Sequence, residues 1–362
     1  MTAISWPWQT LEPGVYFDLP FDTYVQQKCL NAGGLKNILI SETDFWCRSW
    51  MNPLNDEIDE ETKAKTEGRA YHKRILEGKE EFYRLYAPDF EYTGDRPLLT
   101  TSEEIAGALA IRGLPTSFKK KQDGIDRLLS HDPNAPVFDA MQRAYRAQYG
   151  GEREWLPPRL VRHIELSAKM IEAHPELQTY FVGGYPEVTV IWDDPLGVRF
   201  KMRADYLKVG PVVDLKTFAN QMKKNIEKAI DFAIASNKYH IQAGLYLRGR
   251  EAARELVKAG RVFYSEAASP TIVDPKWLNV FAETPNEEFW YIFMQKGIAT
   301  VARGAKFSAR DSKFASAAEV CLKDGAERFL RAHKTYGEDP WVDVSPSKYL
   351  SFDDMPAFIG DV

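Results

Sequence analysis

From Glu187 to Lys216 hydrophobic and polar residues alternate at nearly every second position, the period of a β-strand. Val188–Trp192, Val198–Leu207 and Val212–Thr217 read as three strands, with turns at 193–197 and at Gly210-Pro211. Connections this short join antiparallel neighbours, so the three form a meander. The pattern then turns helical from about Asn220 to Ala259, with a break near Ser236, and two further strands are expected at Arg261–Glu266 and Glu288–Lys296. Ser312–Tyr336 reads as a long helix ended by Gly337 and Pro340.

Upstream of the meander the chain is mainly helical. Residues 56–86 are rich in Glu, Lys, Arg and Ala, with Pro88 as a stop, and 136–149 and 160–173 read as helices. Residues 98–130 form a small helical insert, in which Glu103–Arg112 and Gln122–Leu129 flank a loop carrying Pro115 and the run Lys119, Lys120, Lys121. A solvated helical hairpin accounts for this pattern, and so does a DNA-binding helix–loop–helix. Pro13–Pro53 mixes turn residues with short apolar runs and reads as an irregular wrapped arm. The expected architecture is mixed α/β (α+β), a central sheet flanked by helices.

With 362 residues, 44% of them hydrophobic and 27% charged, the chain can bury a core without covalent staples. Cys29, Cys47 and Cys321 are too far apart for a zinc knuckle, and three thiols cannot ligate a four-cysteine iron–sulfur cluster. No leader-like start and no apolar run of about 18 residues is present, so a cytoplasmic protein without a membrane partner is expected. The net charge of −5 conceals a local field. Arg199–Arg250 holds eleven Lys or Arg against four Asp or Glu, an excess of +7, which leaves −12 for the remainder.

The candidate chemistry lies in that basic stretch. Alternation puts Asp214 and Lys216 on one face of their strand and Val213 and Leu215 on the other. In the preceding strand Phe200, Met202 and Ala204 alternate with Arg199, Lys201, Arg203 and Asp205, and Glu187 opens the first strand. The short connection sets Asp205 beside Asp214. Two carboxylates on adjacent strands are a seat for Mg²⁺ or Mn²⁺, and a lysine two residues later can orient or deprotonate a water. An Asp-x-Lys strand is also an ordinary salt-bridge pair. One helix later, Tyr239, Gln242 and Tyr246 share a face, which fits either core packing or a substrate-facing rim. His72 lies within the helical stretch after Gly68, where a lone histidine also fits a structural role.

The spacing Asp205, then Asp214-Leu215-Lys216, resembles the signature of PD-(D/E)XK nucleases, with Ala204 where the proline stands. Gln242 to Tyr246 resembles the Gln-x-x-x-Tyr element of RecB-type nucleases, and Gly68 to His72 their Gly-x-x-x-His element. Pro13–Tyr16, Phe21–Tyr24 and Pro186–Tyr246 are similar to the exonuclease domains of the exodeoxyribonuclease VIII (RecE) family. The insert at 98–130 weakly resembles a SAP-type motif.

These resemblances imply one exonuclease domain over 1–362, with an arm at 1–55, a restriction-endonuclease-like catalytic core at 186–250 and a tail at 340–362. They imply a catalytic set of Glu187, Asp205, Asp214 and Lys216, and two Mg²⁺ or Mn²⁺ ions held by His72, Asp205, Asp214 and the Leu215 carbonyl. DNA contacts are expected from Gln242, Tyr246, Tyr239, Arg203, Lys223 and Lys224. The implied activity is 5′-to-3′ degradation of linear double-stranded DNA to mononucleotides, leaving 3′ tails for recombination. A homo-oligomeric ring and a RecT-type single-strand annealing partner are expected with it, in a phage or prophage setting. The alternatives are a structure-specific endonuclease of the same superfamily and a non-catalytic DNA-binding scaffold.

Overall fold

A computed structural model describes residues 6–55, 63–220, 225–264, 272–285, 287–296 and 300–347. The N-terminal part contains β1 (Gly14–Phe17) and helices α1 (Phe21–Gln26), α2 (Ala32–Ile38), α3 (Glu42–Cys47), α4 (Lys63–Leu76) and α5 (Gly78–Leu85). Next come β2 (Tyr86–Pro88), α6 (Ser102–Ile111), α7 (Lys121–His131), α8 (Phe138–Tyr149), β3 (Glu154–Leu156) and α9 (Pro158–Ala173). The meander is β4 (Gly184–Asp193), β5 (Arg199–Lys208) and β6 (Val212–Phe218), followed by α10 (Ile226–Ser236) and α11 (Tyr239–Lys258). The chain continues through β7 (Val262–Tyr264), α12 (Pro275–Glu283), β8 (Glu288–Gln295), β9 (Val301–Ser308) and α13 (Ser312–Tyr336).

The fold is mixed α/β, with a mixed sheet in the order β7-β1-β4-β5-β6-β8-β9 and helices on both faces. β4, β5 and β6 run antiparallel, while β6 pairs parallel with β8 and β1 parallel with β7. On one face Val190, Phe200, Met202 and Val212 pack against Ile241 and Leu245 of α11 and Phe329 of α13. On the other, Val213, Leu215 and Ile292 pack against Tyr71 of α4 and Ile164 of α9. A Cβ at Gly249 would stand 2.5 Å from Met202 Sδ, so glycine lets α11 lie directly on the sheet. The insert has its own small core of Ile105, Leu109, Ile125 and Leu128 between α6 and α7. Among the described residues no helix is long and apolar enough to cross a membrane.

The N-terminal arm departs from the irregular wrap expected of it. Its β1 lies inside the sheet between β4 and β7, and α2 and α3 contribute Leu35, Ile38 and Phe45 to the core under α13. The reason lies on the polar face of β5, whose cations are spent on the arm. Lys201, only 4% exposed, donates to the carbonyls of Tyr24, Val25 and Gln27 at 2.6–2.9 Å and so caps the C-terminal end of α1. Arg203 donates to the Leu19 carbonyl, and Arg199 to Thr10 and Asp193.

Removing the Lys201 ammonium while keeping its stem leaves these carbonyls without their donor. Lys201→Met is therefore expected to cost about 3 kcal/mol, measured by urea unfolding followed through tryptophan fluorescence. A variant as stable as the parent would show that the clamp contributes nothing.

Candidate active site

The site is built where regular pairing stops. β5 and β6 pair at Tyr206↔Val213 and Leu207↔Val212 and then diverge. Ala204 belongs to the core beneath α11 and Tyr206 to the core beneath α4 and α9, so the alternation of β5 slips at Asp205. Its Oδ2 accepts the Leu215 N–H at 2.7 Å, which satisfies the backbone group released by the divergence. In β4 the opposite residue, Glu187, drops out of the ladder between the pairs Pro186↔Tyr206 and Val188↔Ala204. It adopts φ 54°, a left-handed conformation costly for a glutamate and concentrated at functional sites.

His72 of α4 closes this gap from the other side. Its Nε2 lies 3.1 Å from the Leu215 carbonyl oxygen and its Nδ1 3.6 Å from Asp205 Oδ2. One ligand atom each from His72, Glu187 and Asp205 lie within 4.8 Å of one another. Arg203 Nε donates to Glu187 Oε2 at 2.5 Å. Asp205 is strained electrostatically: burial first, then the Asp214 carboxylate, raise its pKa to about 7, against the pull of His72 and Lys216. A partly buried imidazole and carboxylates with a carbonyl beside them, one acid held far above its ordinary range, are a donor set that a hard divalent cation fits.

Asp214 forms a second unit beside the trio. It is 1% exposed, with Oδ2 2.6 Å from Lys216 Nζ and Oδ1 accepting from Gln242 Nε2 at 2.6 Å. Lys216 also faces the rings of Tyr239 and Tyr291, 5.4 and 5.8 Å from their centroids. Burial pushes the Lys216 pKa down, but the Asp214 and Asp205 carboxylates outweigh it and the net shift is upward. Lys216 is therefore a fixed ammonium, a charge and donor rather than a base.

The expected catalytic residues Glu187, Asp205, Asp214 and Lys216 thus meet at one place, with His72 and the Leu215 carbonyl. Glu187 shares the trio, and Asp214 lies against Lys216, with which alternation placed it on one face, rather than within the trio. The residues expected on DNA are engaged otherwise. Arg203 is committed to Glu187 and the Leu19 carbonyl, Gln242 holds Asp214, and the Tyr246 hydroxyl donates to the Arg203 carbonyl at 3.0 Å. Tyr239 offers its ring to Lys216 and its carbonyl to the Tyr291 hydroxyl. Lys223 and Lys224 lie outside the described residues.

Lys36 of α2 is an addition that no sequence spacing announced. Its Nζ lies 5.1 Å from the same Tyr239 ring, and burial and then Lys216 lower its pKa to about 8. Glu187 was legible as an acid; its left-handed backbone was not.

Residues 158–267 match a family model described as a PDDEXK-like domain of unknown function. The matched stretch runs from α9 to just past β7 and holds Glu187, Asp205, Asp214, Lys216, Gln242 and Tyr246, while His72 and Lys36 lie outside it. No curated protein matches the chain. Among solved structures the chain is similar to a protein from Eubacterium rectale described as a "putative exonuclease". The identity is 13% and the TM-score 0.34, over 82% of this chain and 98% of that one, too loose for any residue-by-residue correspondence.

The raised Asp205 pKa fixes a sign. An acid whose pKa is higher in the fold than in the unfolded chain stabilises the fold fully below its ordinary value of 3.8, and that contribution is lost as pH rises through about 7. A bound divalent cation offsets the loss by holding the carboxylate ionised. Mg²⁺ is therefore expected to raise the melting temperature more at pH 8 than at pH 5, with the difference shrinking in Asp205→Asn. Equal shifts at both pH values in the unsubstituted protein would count against this linkage.

Proposed function

We propose that this protein is a metal-dependent nuclease that degrades linear double-stranded DNA from its ends, 5′ to 3′. The observation that carries the reading is the meeting of the His72, Glu187 and Asp205 trio with the Asp214–Lys216 pair across two diverging strands. The PDDEXK-like match over the same elements supports it.

His72, Glu187 and Asp205, with Asp214 and the Leu215 carbonyl adjacent, would hold Mg²⁺ or Mn²⁺, two ions in the full site. When bound, the metal neutralises phosphate charge and lowers the pKa of an attacking water. The side chains do the rest. Asp214 and the two tyrosine rings hold the Lys216 ammonium beside the trio, where it donates to the attacking water or to a non-bridging phosphate oxygen. Gln242 fixes the Asp214 rotamer that aims Lys216. In the hydrolysis, the water gives up one proton to solvent as its oxygen bonds to phosphorus, the P–O ester bond breaks, and the departing oxygen takes a proton from solvent and leaves as a hydroxyl.

Lys36 adds positive charge on the flank and has no carboxylate ion pair among the described residues, so it suits a neighbouring backbone phosphate. The insert would extend the contact through Lys119 and Lys120, both exposed on the loop before α7. The 3′ tail, the annealing partner of RecT type and a ring around the duplex complete the proposal.

Duplexes labelled separately at 5′ and 3′ ends, with and without Mg²⁺ and beside a closed circle, test this directly. The expected result is metal-dependent loss of the 5′ label and an intact circle; cutting of the circle would establish an endonuclease instead. Asp214→Ala and Lys216→Ala are each expected to lower nucleotide release about 100-fold or more in a folded protein. Replacing Lys119 and Lys120 by alanine is expected to weaken DNA binding across sequences and to flatten its salt dependence by about two units of slope. An unchanged slope would remove the insert from the interface.

A further inference from the structure

β8 lies beside β6 in parallel, and its register sets Tyr291 opposite Asp214. Parallel neighbours in register present their side chains on one face, so Tyr291 stands next to the carboxylate, in the core beneath α11. It is fully buried, and its hydroxyl must find a partner there. That hydroxyl donates to the Tyr239 carbonyl at 3.0 Å and stands 3.5 Å from Gln242 Oε1, both in the first turn of α11.

The turn lacks the usual side-chain cap. Lys238, at the N-cap, has a left-handed backbone with φ 49°, and its side chain makes no capping hydrogen bond. The Tyr291 hydroxyl cannot satisfy the free N–H groups of that end, but it ties the first carbonyl of the helix to the sheet.

Gln242 depends on that turn. Its Nε2 donates to Asp214 Oδ1 at 2.6 Å, and the other oxygen of the same carboxylate lies 2.6 Å from Lys216 Nζ. The reverse orientation of the amide would press Oε1 against the carboxylate, acceptor on acceptor. A hydroxyl facing Oε1 from the far side favours the orientation that holds Asp214. The Tyr291 ring in turn lies 5.8 Å from the Lys216 ammonium. Contacts therefore run from Tyr291 through Gln242, Asp214 and Lys216 back to Tyr291, a closed circuit.

We infer that Tyr291 is a positioning residue for phosphodiester hydrolysis: its hydroxyl fixes the first turn of α11 and, through Gln242, holds the Asp214–Lys216 pair in place beside the His72, Glu187 and Asp205 trio. This rests on the nuclease reading and adds to it a residue beyond the stretch 158–267 that the family model matches.

Tyr291→Phe keeps the ring and removes only the hydroxyl. With linear duplex DNA and Mg²⁺, it is expected to lower kcat for nucleotide release about tenfold and to leave KM within about twofold, since no group that binds substrate is lost. Gln242→Met should lower kcat as well, and adding Tyr291→Phe to it should cost less than about twofold more, because the two residues act as one unit. A tyrosine that only supports the core would add its full effect in either background. A second readout needs no activity: proton exchange between the Gln242 carboxamide and water, followed by NMR on glutamine-labelled protein, the signal being the one missing from Gln242→Met. Exchange should be faster in folded Tyr291→Phe. Parental kcat in Tyr291→Phe, additive losses in the double variant, or unchanged exchange overturns the inference. No nucleotide release by the unsubstituted protein, with exchange still faster in Tyr291→Phe, removes the nuclease reading and leaves the Tyr291 anchor standing.

Discussion

Asp205 accepts the Leu215 N–H at the point where β5 and β6 separate, and the whole site follows from that bond. Two strands that parted without it would leave a buried donor unsatisfied, at a cost of about 1–3 kcal/mol. With it, the gap persists and the Leu215 carbonyl is left for His72. The same carboxylate is thereby buried next to Asp214, which accounts for its high pKa and for the demand for positive charge that Lys216 meets from one side. Glu187, opposite the slip, takes up a strained backbone for the same reason, since its ladder partner has turned away. Site geometry and site electrostatics are two results of one interrupted ladder.

The basic character of β5 serves a different end. Arg199, Lys201 and Arg203 tie down the N-terminal arm, which supplies Lys36 and, with Phe21 and Tyr24, one side of the cavity that also holds His72, Glu187 and Asp205. Charge that would be unremarkable on a solvated strand becomes a clamp once backbone carbonyls are laid across it.

The meander and the long helices were legible because each obeys a single period over many residues, and the break expected near Ser236 falls at Asn237–Lys238, between α10 and α11. β1 was not, because Gly14-Val-Tyr-Phe is too short to alternate and is buried throughout. β9 was hidden by Gly304 and by Arg303 and Lys306 in an edge strand. In the site, the acids and the lysine could be read from spacing, and the histidine from its resemblance. The partners of Arg203, Gln242 and Tyr246 could not, because a side chain able to hold a phosphate is equally able to hold a carboxylate or a carbonyl, and only the fold decides which lies nearer. Lys36 was invisible for the same reason: nothing in the order of residues ties α2 to the Tyr239 ring.

β1 is made early in synthesis, yet its parallel neighbour is β7, in the register Val15↔Val262, and its antiparallel neighbour is β4, in the register Gly14↔Ile191. Both pairings close very long loops, the kind that slow folding and keep strand edges open on the ribosome. The N-terminal arm therefore waits for the half of the protein that makes the ladder, and translation pauses or truncations after β4 would leave a nascent chain whose open edge invites association with its own copies.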